Sequence, residues 1–159
     1  MKTKHELIVT TPSAREIVMT RFVDAPPAVV FEAFTKPELV ARWLLGPDGW
    51  TMPISEIDLR VGGRLHHVWR NDESGFEFGI AGVFREIAAP ERIVRTEIMD
   101  GAPGEAVVTN TFVAQGGGTL VTMTVLYESA AIRDLALESG MQSGVAASYD
   151  RLEKVLALS

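Results

Sequence analysis

Residues 129–158 read SAAIRDLALESGMQSGVAASYDRLEKVLAL. Within this stretch Leu137, Met141, Val145, Ser148, Leu152 and Val155 recur at three- and four-residue steps, the spacing that gathers side chains on one face of an α-helix. The pattern predicts one long helix from Ala130 to Leu158. Ser129 supplies an N-cap hydroxyl for it. A stripe this long needs an apolar surface to cover, and the residues upstream supply one.

From Thr51 to Tyr127 the period switches from helical to alternating. Strands are expected at Ile54–Leu59, Arg64–Arg70, Phe76–Ile87, Arg92–Met99, Ala106–Ala114 and Thr119–Tyr127. Phe76, Phe78, Ile80, Gly82 and Phe84 share one face, as do Val121, Met123, Val125 and Tyr127. Val61-Gly62-Gly63 and Gly116 to Gly118 read as hairpin turns, since they lack the lysine and strand-to-helix context of a phosphate loop. Short strands separated by such turns suggest an antiparallel meander.

Before the meander, Arg15–Asp24 reads as a first strand. Two short helices follow, opened by Pro27 and Pro37, a residue suited to the first helical position. Residues 1–14 form an N-terminal arm whose Glu6–Thr11 can add an edge strand, ended by Pro12. Residues 15–159 are then a single domain. The expected class is α+β of helix-grip type, with a curved antiparallel sheet wrapped around the long C-terminal helix.

Composition narrows the function. The formal net charge is −6, with lysines few and arginines scattered, which argues against a nucleic-acid surface. No apolar run is long enough to span a bilayer, so no membrane insertion is expected. The chain has no cysteine, which removes disulfides, thiol nucleophiles and cysteine metal sites, and a cytoplasmic location follows as the default. No HExxH or clustered-carboxylate spacing is present, so neither a metal nor a cofactor is expected.

Several stretches together resemble one family. They are Asp24-Ala25-Pro26 leading to Val30-Phe31-Glu32-Ala33-Phe34-Thr35, Pro37-Glu38-Leu39 with Arg42-Trp43, and Gly46-Pro47. Asp58-Leu59-Arg60-Val61-Gly62-Gly63, Pro90-Glu91-Arg92-Ile93-Val94 and Gly118-Thr119 follow. In the last helix the match runs through Arg133-Asp134, Gly140-Met141, Gly144 and Ser148-Tyr149-Asp150-Arg151-Leu152. In order and spacing they resemble the START-like (SRPBCC) superfamily, and within it the family named after the C-terminal domain of the activator of Hsp90 ATPase. The resemblance implies a cavity between helix and sheet, with lipids, hormones or polyketides as guests of relatives and a few cyclases or hydrolases among them. Val145 and Leu44 stand where many members of the family carry tryptophan. If they face inward, they leave more room.

The residues expected to line the cavity are His67, Trp69, Phe78, Ile80, Glu97, Met123, Met141 and Val145. Of the adjacent pair His66-His67, strand parity turns His67 inward with Leu65 and Trp69; a histidine simply bonded within the sheet is the plainer reading. Glu97 and Glu56 are carboxylates that burial would make useful as acids, although a solvated position or pairing with Arg95 or Arg60 is favoured. Arg21 is read as an outward salt-bridge partner. Gly140 and Gly144 are read as a close-packing face or a way to spare volume above the sheet. No Gly-x-Ser-x-Gly elbow exists.

The leading expectation is therefore a non-catalytic binder of a small, largely apolar molecule. The alternatives are an Hsp90-linked or other protein-interaction module, and a cyclase- or hydrolase-type enzyme using a pocket acid or histidine. A homodimer stays open. The full-length co-chaperone also uses an N-terminal domain, which this chain is too short to contain. The purified chain at stoichiometric amounts should therefore leave an Hsp90 ATPase near its basal rate. Strong stimulation in that assay would put the interaction module first.

Overall fold

The computed structural model describes residues 5–157. The chain order is β1 (Ile8–Thr10), β2 (Glu16–Val23), α1 (Pro27–Thr35), α2 (Pro37–Trp43), β3 (Trp50–Ile57), β4 (Arg64–Asn71), β5 (Glu77–Ala88), β6 (Arg92–Met99), β7 (Ala106–Gln115), β8 (Gly118–Leu126), α3 (Ala130–Glu138) and α4 (Met141–Ala157). All eight strands join one antiparallel sheet in the order β1-β2-β8-β7-β6-β5-β4-β3. This is the helix-grip α+β architecture expected from the sequence. The arm's edge strand spans Ile8–Thr10 and pairs with β2. The strand expected at Ile54 begins earlier, at Trp50.

Alternation sets the two faces of the sheet. Ile17, Met19, Arg21 and Val23 on β2 are buried, as are Val121 and Val125 on β8 and Val108 and Phe112 on β7. The inner face carries the main core, where Phe31, Phe34, Trp43, Phe112 and Tyr149 meet in a chain of edge and tilted ring contacts. Pro27 and Pro37 open the two short helices, as their fixed φ and missing N–H allow. Trp43, fully buried, donates its indole N–H to the Ala33 carbonyl (2.9 Å), which locks α2 against α1.

The final segment departs from the single helix expected. It forms two helices, separated at Ser139-Gly140, where Gly140 takes φ +79°. That left-handed conformation ends a helix, and glycine adopts it without steric penalty. The apolar stripe runs on through the break, so periodicity alone hides it. Nor do Gly140 and Gly144 form a close-packing face. A Cβ at Gly140 would meet nothing within 4 Å, and one at Gly144 would meet only Pro47 Cδ, at 3.9 Å.

The two helices are held very differently. On α4, Ser148, Tyr149 and Leu152 are buried. Arg21 is not an outward partner: it is 4% exposed on the inner face and donates to Asp150 Oδ1 (2.7 Å), Glu153 Oε2 (3.1 Å) and the Ala146 carbonyl (3.4 Å). Arg151 reaches the carbonyls of Trp43 (3.4 Å) and Gly46 (3.1 Å), and Gly46 N–H donates to Ser148 Oγ (2.8 Å). By contrast, α3 contains no buried residue; its Ser129 cap is formed, with Oγ accepting from Ile132 N–H. In urea unfolding, Leu152→Ala should cost about 2–5 kcal/mol, whereas Leu135→Ala on exposed α3 should stay within about 0.5 kcal/mol. Equal losses at the two positions would contradict this one-ended attachment.

Candidate functional site

Inner-face parity brings Ile93, Arg95, Glu97 and Met99 of β6 to the side of the sheet that the C-terminal helices cover. Arg95 pairs across to Val108, and Glu97 to Ala106. Arg95 Nη1 donates to Glu97 Oε1 at 3.1 Å, with both side chains largely buried. Glu97 therefore faces inward and is also paired, combining the two readings that the sequence set against each other. Glu56 lies on the exposed face, where its carboxylate sits 3.5 Å from His66 Nδ1.

The core beneath the helices comes in two pieces. Ala106, Val108 and Val125 form a small cluster with Met123 and Tyr127 packed on it, apart from the main core. Beside this second cluster is a cavity of about 340 Å³. Its floor is Glu97, Met99, Ala106 and Tyr127; its roof is Ile132, Leu135 and Ala136 of α3 with Met141 at the start of α4. The β6–β7 hairpin, residues 101–105, closes one side. Gly104 lets it approach. At φ +80° it sits so close to α3 that a Cβ would meet Glu128 Cδ at 3.1 Å and Ile132 Cδ1 at 3.2 Å.

Of the eight residues expected at the site, Glu97 and Met141 line this cavity. His67 and Ile80 are buried on the inner face of β4 and β5. Trp69 stacks on Phe78 (centroids 5.2 Å apart) and donates its indole N–H to the Leu44 carbonyl at 2.6 Å. Met123 packs on the smaller cluster. Val145 and Leu44 both pack against the main core, so they do face inward, but neither borders the cavity. The hairpin and α3 residues were missed because loops and an exposed helix carry no periodic mark of what they cover.

The polar groups on this side are few. Tyr127 Oη donates to Met141 Sδ at 3.6 Å. Burial, reinforced by the Glu97 charge, pushes the Tyr127 phenol up to about 12, so it stays protonated. Four buried side-chain atoms, Arg21 Nε, His67 Nδ1, Asn110 Oδ1 and Gln142 Oε1, have no hydrogen-bond partner among the described residues. The histidine–carboxylate contacts of the described residues, His5 with Glu153 (2.6 Å) and His66 with Glu56 (3.5 Å), both lie away from the cavity. Glu97 is held by arginine instead. No group of three or more His, Asp or Glu side chains among the described residues has the geometry to hold a metal ion.

A second depression, about 630 Å³, lies on the opposite face of the sheet. It is larger but shallow, a trough over β3–β6 rimmed by Glu56, Asp58, Arg64 and His66. Guests are held where concave apolar walls surround them, which favours the smaller, roofed cavity.

Comparison with known proteins agrees with this architecture. The family model described as activator of Hsp90 ATPase homolog 1-like protein matches residues 24–157. The chain belongs to this family. No curated protein matches. Among solved structures, one from Rhodobacter sphaeroides superposes with a TM-score of 0.92 at 28% identity, covering 97% of this chain and 100% of its own. A Chromobacterium violaceum protein gives 0.76 at 27% identity, over 88% and 96% of the two chains. An AHSA1-like protein from Aeromonas hydrophila gives 0.72 at 26% identity, over 88% and 93%. Family and fold support a ligand-binding or Hsp90-associated module in general terms. No helix among the described residues is long and apolar enough to cross a membrane.

His67 gives this face a measurable signature. Burial, then the Arg95 charge, then His66 lower it from 6.5 to about 4. Between these values the unfolded chain holds a proton that the folded chain refuses. Stability from this group is thus fully present above pH 6.5 and is lost as pH falls toward 4. From about pH 7 to about pH 4.5 the parent protein should lose roughly 2–3 kcal/mol more than His67→Leu in urea unfolding. Parallel pH profiles for the two proteins would place the imidazole in contact with water.

Proposed function

We propose that this member of the family is a binding protein that takes a small, largely apolar molecule between its C-terminal helices and its sheet, without catalysing a reaction. The observation that carries the reading is the roofed cavity of about 340 Å³ beside a core split into two clusters. That volume falls within the range of small-molecule sites, roughly 300–1,000 Å³. Its walls are mainly Met99, Ala102, Pro103, Ile132, Leu135 and Met141. Two methionines among them give a wall that can reshape around a guest. The roof is the part of the chain that costs least to move, since α3 buries no residue.

The role of Glu97 supports binding over chemistry. An acid catalyst needs a carboxyl free to hold or yield a proton near neutrality, whereas Glu97 is engaged by Arg95 at 3.1 Å. Relatives of this fold serve many ends, so the family alone selects none of them.

Filling the cavity is the direct test. Met141→Trp places an indole under the roof. It should abolish binding of a neutral hydrophobic fluorophore while leaving the melting temperature nearly unchanged. If the space is instead filled by packing, the same change should strain the fold by about 1–3 kcal/mol. The reading fails if the parent protein binds no hydrophobic probe and the variant is merely less stable.

A further inference from the structure

Two hydroxyls line the cavity wall; Ser139 already donates to the Ala136 carbonyl, whereas the partner of Tyr127 is a poor one. Its hydroxyl points at the Met141 thioether sulfur, 3.6 Å away, and has no oxygen acceptor among the described residues. A thioether is a weak acceptor, so an oxygen brought in by a guest would take the hydrogen bond over. Met141 borders the same cavity and its flexible side chain can swing aside. The other titratable groups on the wall are Glu97, Glu105 and Glu128, and no basic residue among those described borders the cavity. Arg95 and Arg85 stand behind Glu97 (3.1 Å) and Glu105 (3.7 Å), outside the wall. Glu128 Oε2 accepts from Glu105 N–H at 2.7 Å, which fixes a carboxylate at the mouth. An anion entering here meets carboxylate oxygens that only accept hydrogen bonds, one hydroxyl already spent on a backbone carbonyl, and the single proton of Tyr127.

We infer that the guest is a neutral apolar molecule carrying a carbonyl or similar acceptor oxygen, which Tyr127 binds through its hydroxyl in place of Met141, and that carboxylate-bearing lipids are excluded. This rests on the binding reading above and adds the chemistry of the guest's polar end. The phenol remains a donor throughout the physiological range, because burial and the Glu97 charge hold it up near 12.

The test uses two naphthalene fluorophores of opposite character. Prodan is a neutral ketone whose emission moves to the red when its carbonyl accepts a hydrogen bond; anilinonaphthalene sulfonate carries a fixed negative charge. Prodan should bind the intact chain more tightly than the sulfonate by about tenfold or more, as like charges across a cavity wall require. Tyr127→Phe should weaken prodan by about three- to tenfold, the factor one neutral hydrogen bond supplies, and shift its bound emission to the blue. Met141→Leu removes the competing sulfur and should keep or tighten prodan binding, which separates loss of the hydroxyl from damage to the wall. Preferred binding of the sulfonate, or a Tyr127→Phe variant with unchanged affinity and emission for prodan, would overturn this inference and leave the binding reading intact. If neither fluorophore binds the parent protein, both fall together.

Discussion

The structure depends on α4 being fastened at one end only. Leu152 and Tyr149 seat its C-terminal half in the main core, and Arg21 reaches from β2 to hold Asp150 and Glu153. The arginine is buried while Asp150 remains well exposed. Its value therefore lies in satisfying a costly buried cation with several acceptors more than in net attraction. The carbonyls of Trp43 at the end of α2 and of Gly46 in the loop after it, both taken by Arg151, complete the clamp. Toward the other end, residues 141–147 are only half-buried or exposed, and α3 adds no buried side chain.

From that asymmetry follows the division of the core. The aromatic cluster fills the space where α4 is clamped and α1 and α2 press on the sheet. Farther along β6–β8, Met123 and Tyr127 pack against the small cluster of Ala106, Val108 and Val125, and the helices bridge over the remaining gap. A small residue at Ala106 and a glycine at 104 keep that gap from being filled by side chains or blocked by the hairpin. Interiors close up to high density wherever side chains can reach one another; here the roof is set by a helix break and a hairpin, so they cannot.

Much of this was legible in the sequence. The change from period two to helical spacing identified the layers, and the ordered short stretches identified the family. The break at Gly140 was also written there, as Glu138-Ser139-Gly140, a helix stop of ordinary kind. The uninterrupted stripe concealed it, because residues on either side of a bend can still face one sheet. Parity alone would have turned Arg21 inward, between Met19 and Val23; the habit of charged residues to seek water argued the other way. Parity likewise put Glu97 in line with Ile93. What no local pattern encodes is the meeting of a hairpin tip with an exposed helix. The cavity's roof and side wall depend on tertiary closure, which neither propensity nor period records.

Gly140 has one more consequence, for how the protein would discriminate among guests. Two short rods joined at a left-handed glycine can change their mutual angle without breaking a continuous ladder of helical hydrogen bonds. On the proposed binding reading, the roof can thus rise over a bulkier guest while the clamp at Leu152 stays shut. The floor has no such freedom, because Glu97 and Tyr127 are set in or beside paired strands whose spacing is fixed at about 4.8 Å. Tolerance and stringency are thereby assigned to different walls. Along a series of increasingly long neutral homologues affinity would vary gently, whereas a single change of charge on the guest would be felt in full.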